Sequence, residues 1–291
     1  MQTKLDFKCQ SDNFEQISKG IIQKAGVSYP EIHTKSHCMA LLAKEIKNDT
    51  NNKLCIIPFC TTVEAEALGA IIKLGDEKAG PRVKEYIFKS IEDLKKITKI
   101  DLKSKRIKQV LDCTQELAGE GEIVCLNVEG PFTIISALID PVIFYRCLRK
   151  DKEAAQGFLK VIEEGIVEYI QEGVKRGAKI ISYGDPVGSI DIVGPKVYAN
   201  VSGKITYDIL KRIQNNMDSF IIHLCGRTST AFEKLGLSTS TPIEFDEEMT
   251  YADAICKVID SRKDVKIIGN ACIKKTRLVM KKPIVWSINL K

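Results

Sequence analysis

Long apolar runs are absent from this chain, and their absence disfavours a membrane-spanning protein. No stretch of the 291 residues approaches eighteen consecutive apolar residues, the length that a membrane-spanning helix needs. The first twenty residues mix charges throughout and lack the apolar segment of a signal peptide. We therefore expect a cytoplasmic protein without a membrane contact, in which 44% hydrophobic residues supply a sizeable core.

The cysteines lack the paired spacing of a thiol redox motif. No two of the ten are arranged as Cys-x-x-Cys, and several, such as Cys55, Cys125 and Cys147, lie within apolar stretches. A disulfide framework is typical of short secreted chains, whereas this chain is long and rich in core residues. We interpret most of the cysteines as small buried residues of a protein in a reducing cytoplasm.

Aromatic residues are missing from the most basic part of the chain. Much of the net charge of +6 comes from one stretch, which contains Lys95, Lys96, Lys99, Lys103, Lys105, Arg106 and Lys108. Without aromatic side chains this stretch offers no stacking surface for nucleic acid, so we expect no nucleic-acid partner. We interpret it as a solvated helix face, with a docking patch for an acidic protein as the alternative.

Short apolar runs alternate with helical patterns along the chain. Strands are predicted at 54–59, 123–128, 179–183, 220–225 and 265–268, with a last apolar run at 284–290. Helical spacing covers the segment up to about residue 47 and recurs at 63–74, 151–176, 207–216 and 250–259. Such alternation indicates a parallel sheet buried on both faces. It favours one α/β domain, and a (β/α) barrel over an open sheet, although periodicity alone does not distinguish a barrel from an open sheet.

Polar residues stand where the predicted strands end. In a barrel the active site is assembled at the carboxyl ends of the strands. The candidates are therefore the polar residues at those ends, namely Glu129, Asp185, His223, Cys225, Asn270 and Cys272.

His223 and Cys225 are the most specific of these candidates. Two residues apart on a strand, their side chains point to the same face, and Cα atoms about 7 Å apart let both reach one metal ion. His-x-Cys alone is a weak pattern, and a hydrogen-bonded structural histidine is the alternative. A second thiol at a strand end, Cys272, favours zinc, whereas Cys256 lies in the middle of a predicted helix. One nitrogen and two sulfur ligands would leave a fourth position open for a thiol or a water.

Five segments of the chain resemble, in the same order, motifs of the uroporphyrinogen decarboxylase-like superfamily. Within it, the likeness is to the methylcobamide:thiol methyltransferases and extends from about residue 54 to 272. The segments are Thr62–Ala70, Glu129–Thr133, Gly184–Ser189 with Gly194–Lys196, Ile222–Gly226 and Ile268–Asn270. The third resembles the family's DP…S…P loop and the fourth its HxCG zinc motif.

The resemblance implies a (β/α)8 barrel of the TIM type over 1–291, with residues 1–50 as a helical N-terminal extension. It implies that a zinc-bound thiolate takes the methyl group of methylcobalamin, and that a separate corrinoid protein presents the corrinoid. By this resemblance His223 and Cys225 are zinc ligands and Asp185 lines the pocket. We take Cys272 as the third ligand and expect Glu129 and Asn270 to contribute to cofactor binding. The alternatives are a turn or a helix cap for Asp185, a turn for Glu129 and local backbone contacts for Asn270.

Two departures from the family pattern leave other functions open. The family's decarboxylases bind their substrate with an N-terminal arginine-rich motif, and residues 1–60 contain no arginine, which disfavours that activity. The methyltransferases take a third zinc ligand from a cysteine turn after the last strand, and this turn is missing here. If Cys272 is not the ligand, Glu129, Asp185 or a water must complete the shell. A barrel that binds a corrinoid protein without turnover is the non-enzymatic alternative.

Overall fold

The computed structural model describes residues 17–76, 78–103, 105–214 and 219–291. The α-helices of this part are α1 Lys19–Lys24, α2 Glu31–Thr34, α3 Ser36–Asp49, α4 Val63–Ala67, α5 Lys105–Gly119, α6 Pro131–Leu138, α7 Pro141–Lys150, α8 Lys152–Lys175, α9 Ile190–Val193, α10 Pro195–Val197, α11 Gly203–Gln214, α12 Gly226–Lys234 and α13 Tyr251–Ser261. The strands are β1 Leu54–Ile57, β2 Ile71–Lys73, β3 Arg82–Glu85, β4 Ile123–Glu129, β5 Ile180–Gly184, β6 Ile221–Cys225, β7 Ser238–Glu244, β8 Met249–Thr250, β9 Ile267–Ala271, β10 Val279–Met280 and β11 Ile284–Leu290.

A seven-stranded sheet organises the molecule. Its strand order is β1-β4-β5-β6-β9-β11-β7, and the first five of these strands run parallel. The α/β fold with a parallel central sheet, which the sequence predicts, is thereby confirmed. In detail the sheet differs from eight parallel strands, because β11 runs antiparallel to both β9 and β7. The segment 272–283 between β9 and β11 contains a short 3-10 turn and strand β10 but no α-helix, whereas a parallel connection usually crosses over through a helix.

Helices cover one face of this sheet and build the larger core. Val124, Ile181 and Ile222 belong to one cluster with residues of α3, α5, α8 and α11. The long helix α8 shows why, because its buried residues Phe158, Ile162, Ile166 and Ile170 recur every four positions and so form one apolar stripe. We call this side of the sheet the outer face.

The opposite face, which we call the inner face, carries Cys125, Ile180 and Ile221. The helix α13 packs on it. Tyr251, Ala252 and Ile255 of α13 share a core cluster with these strand residues. A capping box starts the helix, with the Thr250 side chain accepting from the Asp253 N–H and the Asp253 carboxylate accepting from the Thr250 N–H. The ion pair of Lys53 with Asp253, 2.7 Å long, joins the start of the helix to the start of β1.

Several local expectations are confirmed and others need correction. The helix expected at 63–74 ends at Ala67, because Gly69 adopts a φ of 105° that breaks it, and Ile71–Lys73 forms a strand instead. The N-terminal part is helical from Lys19 to Asp49 except for short breaks, and residues 1–16 lie outside the described residues. The division into one domain with an extension at 1–50 stays a prediction.

The basic stretch is solvated except at one residue. Arg106 is 4% exposed, and its guanidinium donates to the Glu66 carboxylate at 2.8 Å and to the Thr62 hydroxyl at 2.9 Å. The interpretation of this side chain as part of a solvated face is therefore wrong, because Arg106 lies at the start of α5 where that helix packs against α4. In the described ranges of the chain, no helix has the length and apolar character needed to cross a membrane.

Candidate functional site

Three parallel strands end side by side in one row on the inner face. Glu129, the last residue of β4, pairs with Gly184 of β5, and a Cβ placed on Gly184 would lie 3.6 Å from the Cβ of Cys225 on β6. Cys225 in turn pairs with Ala271 of β9. Because in-register neighbours of a sheet share a face, Glu129 and Cys225 face the same space, two strands or about 10 Å apart. Gly184 lies between them and has no side chain to fill that space.

His223 lies one position deeper on the same face. It pairs with Ser182 and Ile268, is 1% exposed, and has its Nε2 3.2 Å from the Tyr251 hydroxyl of α13. The two rings meet edge to face with centroids 5.8 Å apart. Burial lowers the pKa of His223 to about 4, so the imidazole is neutral at pH 7. A neutral imidazole is the form that binds a metal ion.

Cys225 and Cys272 are half-buried thiols near this histidine. Cys272 directly follows Ala271, the register partner of Cys225. It also lies close enough to Tyr251 for its charge to contribute, after burial, to the raised pKa of that phenol. The three predicted ligands thus come from the ends of the two neighbouring strands β6 and β9.

The predicted ligands have the donor atoms that suit zinc, but they are not grouped in the described structure. A neutral histidine and two thiols have the donor chemistry that zinc prefers. Across residues 17–76, 78–103, 105–214 and 219–291, however, no three His, Cys, Asp or Glu side chains stand close enough together to hold an ion. His223 contacts Tyr251 instead, and the pairing of β6 with β9 shifts register between His223 and Cys225. The ligand assignments of His223, Cys225 and Cys272 stay predictions.

Asp185 is fully buried and bonded on both oxygens. Its Oδ2 accepts the Phe132 N–H at 3.0 Å, and its Oδ1 accepts the N–H and hydroxyl of Thr133, both at 2.8 Å, and the Gly188 N–H at 3.2 Å. A Cβ on Gly130 or Gly188 would collide with this carboxyl. Asp185 therefore joins the start of α6 to the turn after β5. Burial raises its pKa while these bonds oppose the rise. These contacts give Asp185 a positioning role, and its predicted catalytic role stays a proposal.

Asn270 is oriented towards the far edge of the sheet. Its N–H donates to the Ser229 hydroxyl at 2.8 Å, and its side-chain amide donates to the Ser240 hydroxyl of β7 at 2.9 Å. Its φ of 54° is a left-handed conformation that asparagine tolerates better than most residues. These contacts go to side-chain hydroxyls 41 and 30 residues away in the chain and not to local backbone groups, and the cofactor-binding role of Asn270 stays a prediction.

A buried carboxyl pair at the same end of the sheet was missed by the sequence reasoning. Glu64 of α4 is 1% exposed, and its Oε1 accepts the N–H of Glu129 at 2.9 Å, whereas its buried Oε2 has no hydrogen-bond partner among the described residues. Burial raises the pKa of Glu64 to about 7, and burial together with the Glu64 charge raises that of Glu129 well above its ordinary value. Tyr251 was missed too. Only the position of Glu64 inside the Thr62–Ala70 motif gave a signal.

Comparison with known proteins places this α/β fold in a family. The family model described as Uroporphyrinogen decarboxylase (URO-D) matches residues 17–275, and the chain belongs to this family. The chain is 25% identical over 254 residues to the "Methylcobamide:CoM methyltransferase MtaA" of Methanosarcina barkeri, covering 86% of this chain and 73% of that protein. It is 25% identical over 252 residues to the "Methylcobamide:CoM methyltransferase MtbA" of Methanosarcina acetivorans, with the same two coverages.

A solved structure supports the fold. The structure of a "methyltransferase from Methanosarcina mazei" superimposes with a TM-score of 0.63 at 23% identity, covering 74% of this chain. The chain spans 64% of that protein. The family model and the curated relatives together confirm the predicted resemblance to the superfamily and its methyltransferases.

Proposed function

We propose that this chain is an enzyme that transfers a methyl group between a corrinoid and a thiol. The proposal is carried by the row of Glu129, Gly184 and Cys225, which lie side by side at the carboxyl ends of three parallel strands. His223 lies deeper on the same face. Two curated relatives that cover 86% of the chain are named methylcobamide:CoM methyltransferases, which supports this chemistry over decarboxylation.

The reaction needs an activated sulfur. The thiol loses its proton, its sulfur forms a bond to the methyl carbon, and the cobalt–carbon bond breaks with its electron pair left on cobalt. Zinc held by His223 and Cys225, with Cys272 as third ligand, would keep the bound thiol deprotonated at neutral pH. The corrinoid would reach the row carried by a separate corrinoid protein.

The residues of the chain have distinct roles in this proposal. His223 offers its Nε2 to a metal once the Tyr251 hydroxyl, 3.2 Å away, moves aside. Asp185 holds the turn after β5 against α6 and so fixes the rim of the site. Gly184 leaves the floor between Glu129 and Cys225 without a side chain, which gives a substrate access to the thiol.

Mixing the protein with methylcobalamin and a thiol tests the proposal. We expect the absorbance of methylcobalamin to decay in a protein-dependent manner and the Cys225→Ser variant to fall to the rate without protein. An unchanged spectrum with small thiols of every charge would overturn the proposal.

One observation favours a second candidate, a domain that binds a corrinoid protein without turnover. Tyr251 occupies the Nε2 of His223, and the predicted ligands are not grouped in the described structure. Capture of a corrinoid protein by the chain together with an unchanged methylcobalamin spectrum would favour this candidate.

A further inference from the structure

The carboxyl pair of Glu64 and Glu129 is an unusual feature for the interior of a protein. A buried carboxyl group needs a hydrogen bond or a charged partner. Glu64 is 1% exposed and has an oxygen without a partner among the described residues. The carboxyl of Glu129 is half-buried and has no protein hydrogen bond in that part of the chain either, since only its backbone N–H is bonded. Two adjacent acidic groups therefore retain unused acceptor oxygens.

The charged groups around the pair do not neutralise it. Asp185 is close enough to raise the pKa of Glu129 further. Arg106, the cation that acts on Glu64, is already bound to the carboxylate of Glu66 at 2.8 Å. Lys274, which acts on Glu129, is an exposed side chain on the segment after β9. The buried titratable groups next to the row are thus predominantly acidic.

Glu129, one member of the pair, also faces the candidate reaction site. Glu129 and Cys225 lie on the same face with Gly184 between them, and the nearest atom that a Cβ on Gly184 would meet among the described residues, its chain neighbours aside, is the Cβ of Cys225 at 3.6 Å. A short ligand could therefore span from the thiol of Cys225 to the carboxyl of Glu129 over bare backbone. Such a ligand would have sulfur at one end and a hydrogen-bond donor at the other.

We propose that Glu129, with Glu64 beside it, binds the positively charged end of the acceptor substrate, which is an aminothiol, on the face that Glu129 shares with Cys225 across Gly184. This inference rests on the proposed methyl transfer to a thiol and adds the class of that thiol. The raised pKa values fit it, because an empty pair retains a proton that an ammonium group replaces. A sulfonate-bearing thiol such as coenzyme M, which the curated relatives' names contain, meets like charge here.

Three thiols of equal chain length and different charge test the inference. These are 2-aminoethanethiol, 2-mercaptoethanol and 2-mercaptoethanesulfonate, and their binding is measured by titration calorimetry beside kcat/KM with methylcobalamin. We expect the cationic thiol to be preferred over the anionic thiol by about tenfold or more in both measurements. The Glu129→Gln variant should lose this preference, and the control Glu153→Gln, an exposed carboxylate on α8, should retain it.

The outcomes separate this inference from the proposed function. Equal binding of the three thiols, preference for the anion, absence of binding by all three, or an unchanged preference in Glu129→Gln would overturn the aminothiol assignment. Methyl transfer without charge preference would leave the proposed function standing. Charge-selective binding that disappears in Glu129→Gln, without any methyl transfer, would support the cation site and contradict the proposed reaction.

Discussion

Replacing Glu64 with glutamine tests whether the carboxyl pair destabilises the fold. The side chain is 1% exposed, its Oε1 accepts the Glu129 N–H, and burial raises its pKa from 4.5 to about 7. In the unfolded chain the carboxyl regains its ordinary pKa. As the pH rises from 4.5, the unfolded chain therefore loses this proton first, while the folded chain retains it up to about pH 7.

The sign and size of the effect follow from this difference. Where the folded chain binds more protons than the unfolded chain, the free energy of unfolding falls as the pH rises. The fall spans the window from 4.5 to about 7 and amounts to about 3 kcal/mol at pH 8. Glutamine keeps an oxygen for the Glu129 N–H and has no charge to bury. We therefore expect Glu64→Gln to be about 3 kcal/mol more stable than wild type at pH 8 and to differ by under about 1 kcal/mol at pH 5.

Urea unfolding at both pH values measures this difference. Wild type, Glu64→Gln and the exposed control Glu153→Gln would be compared, and the control should match wild type at both pH values. A Glu64→Gln variant that is no more stable than wild type at pH 8 would refute the reasoning, because the buried carboxyl would then carry no ionisation cost.

Two further substitutions address the elements around the row. Tyr251→Phe keeps the ring against His223 and removes the hydroxyl from Nε2, so we expect zinc to bind about fivefold more tightly, as the loss of one competing hydrogen bond implies. Weaker zinc binding in a metal titration, with the half-exposed Tyr86→Phe unchanged, would contradict this. Asp185→Asn presents an amide to backbone N–H donors, so we expect a loss of about 2–4 kcal/mol in the free energy of unfolding, whereas exposed Asp191→Asn loses little. Equal urea midpoints for the two aspartate variants would show that these bonds contribute nothing.

The central strands were predictable because of where they lie. β4, β5 and β6 are buried on both faces, and continuous apolar sequence is the consequence of that burial. β7 was not predicted because it is an edge strand with only Ser238 and Ile243 buried. The antiparallel direction of β11 could not be read from its sequence, since an apolar run has the same composition in either direction.

The candidate site was predictable only in part, for a related reason. Cys225 and Glu129 end neighbouring strands, and parallel strands bring such ends together whatever the helices do. Tyr251 and Glu64 act through contacts made across the fold, 28 and 65 residues from their partners in the chain. The local apolar pattern distinguishes neither residue from an ordinary helical side chain, and the role of each became visible only in the assembled fold.

Elemental analysis of the purified protein tests the central claim most directly. We predict about one zinc per chain in wild type and in the control Cys38→Ala, and loss of the metal in His223→Ala and Cys225→Ala. Loss in Cys272→Ala would identify the third ligand. Zinc retained at the wild-type level in both His223→Ala and Cys225→Ala would contradict the proposed thiol-activating site.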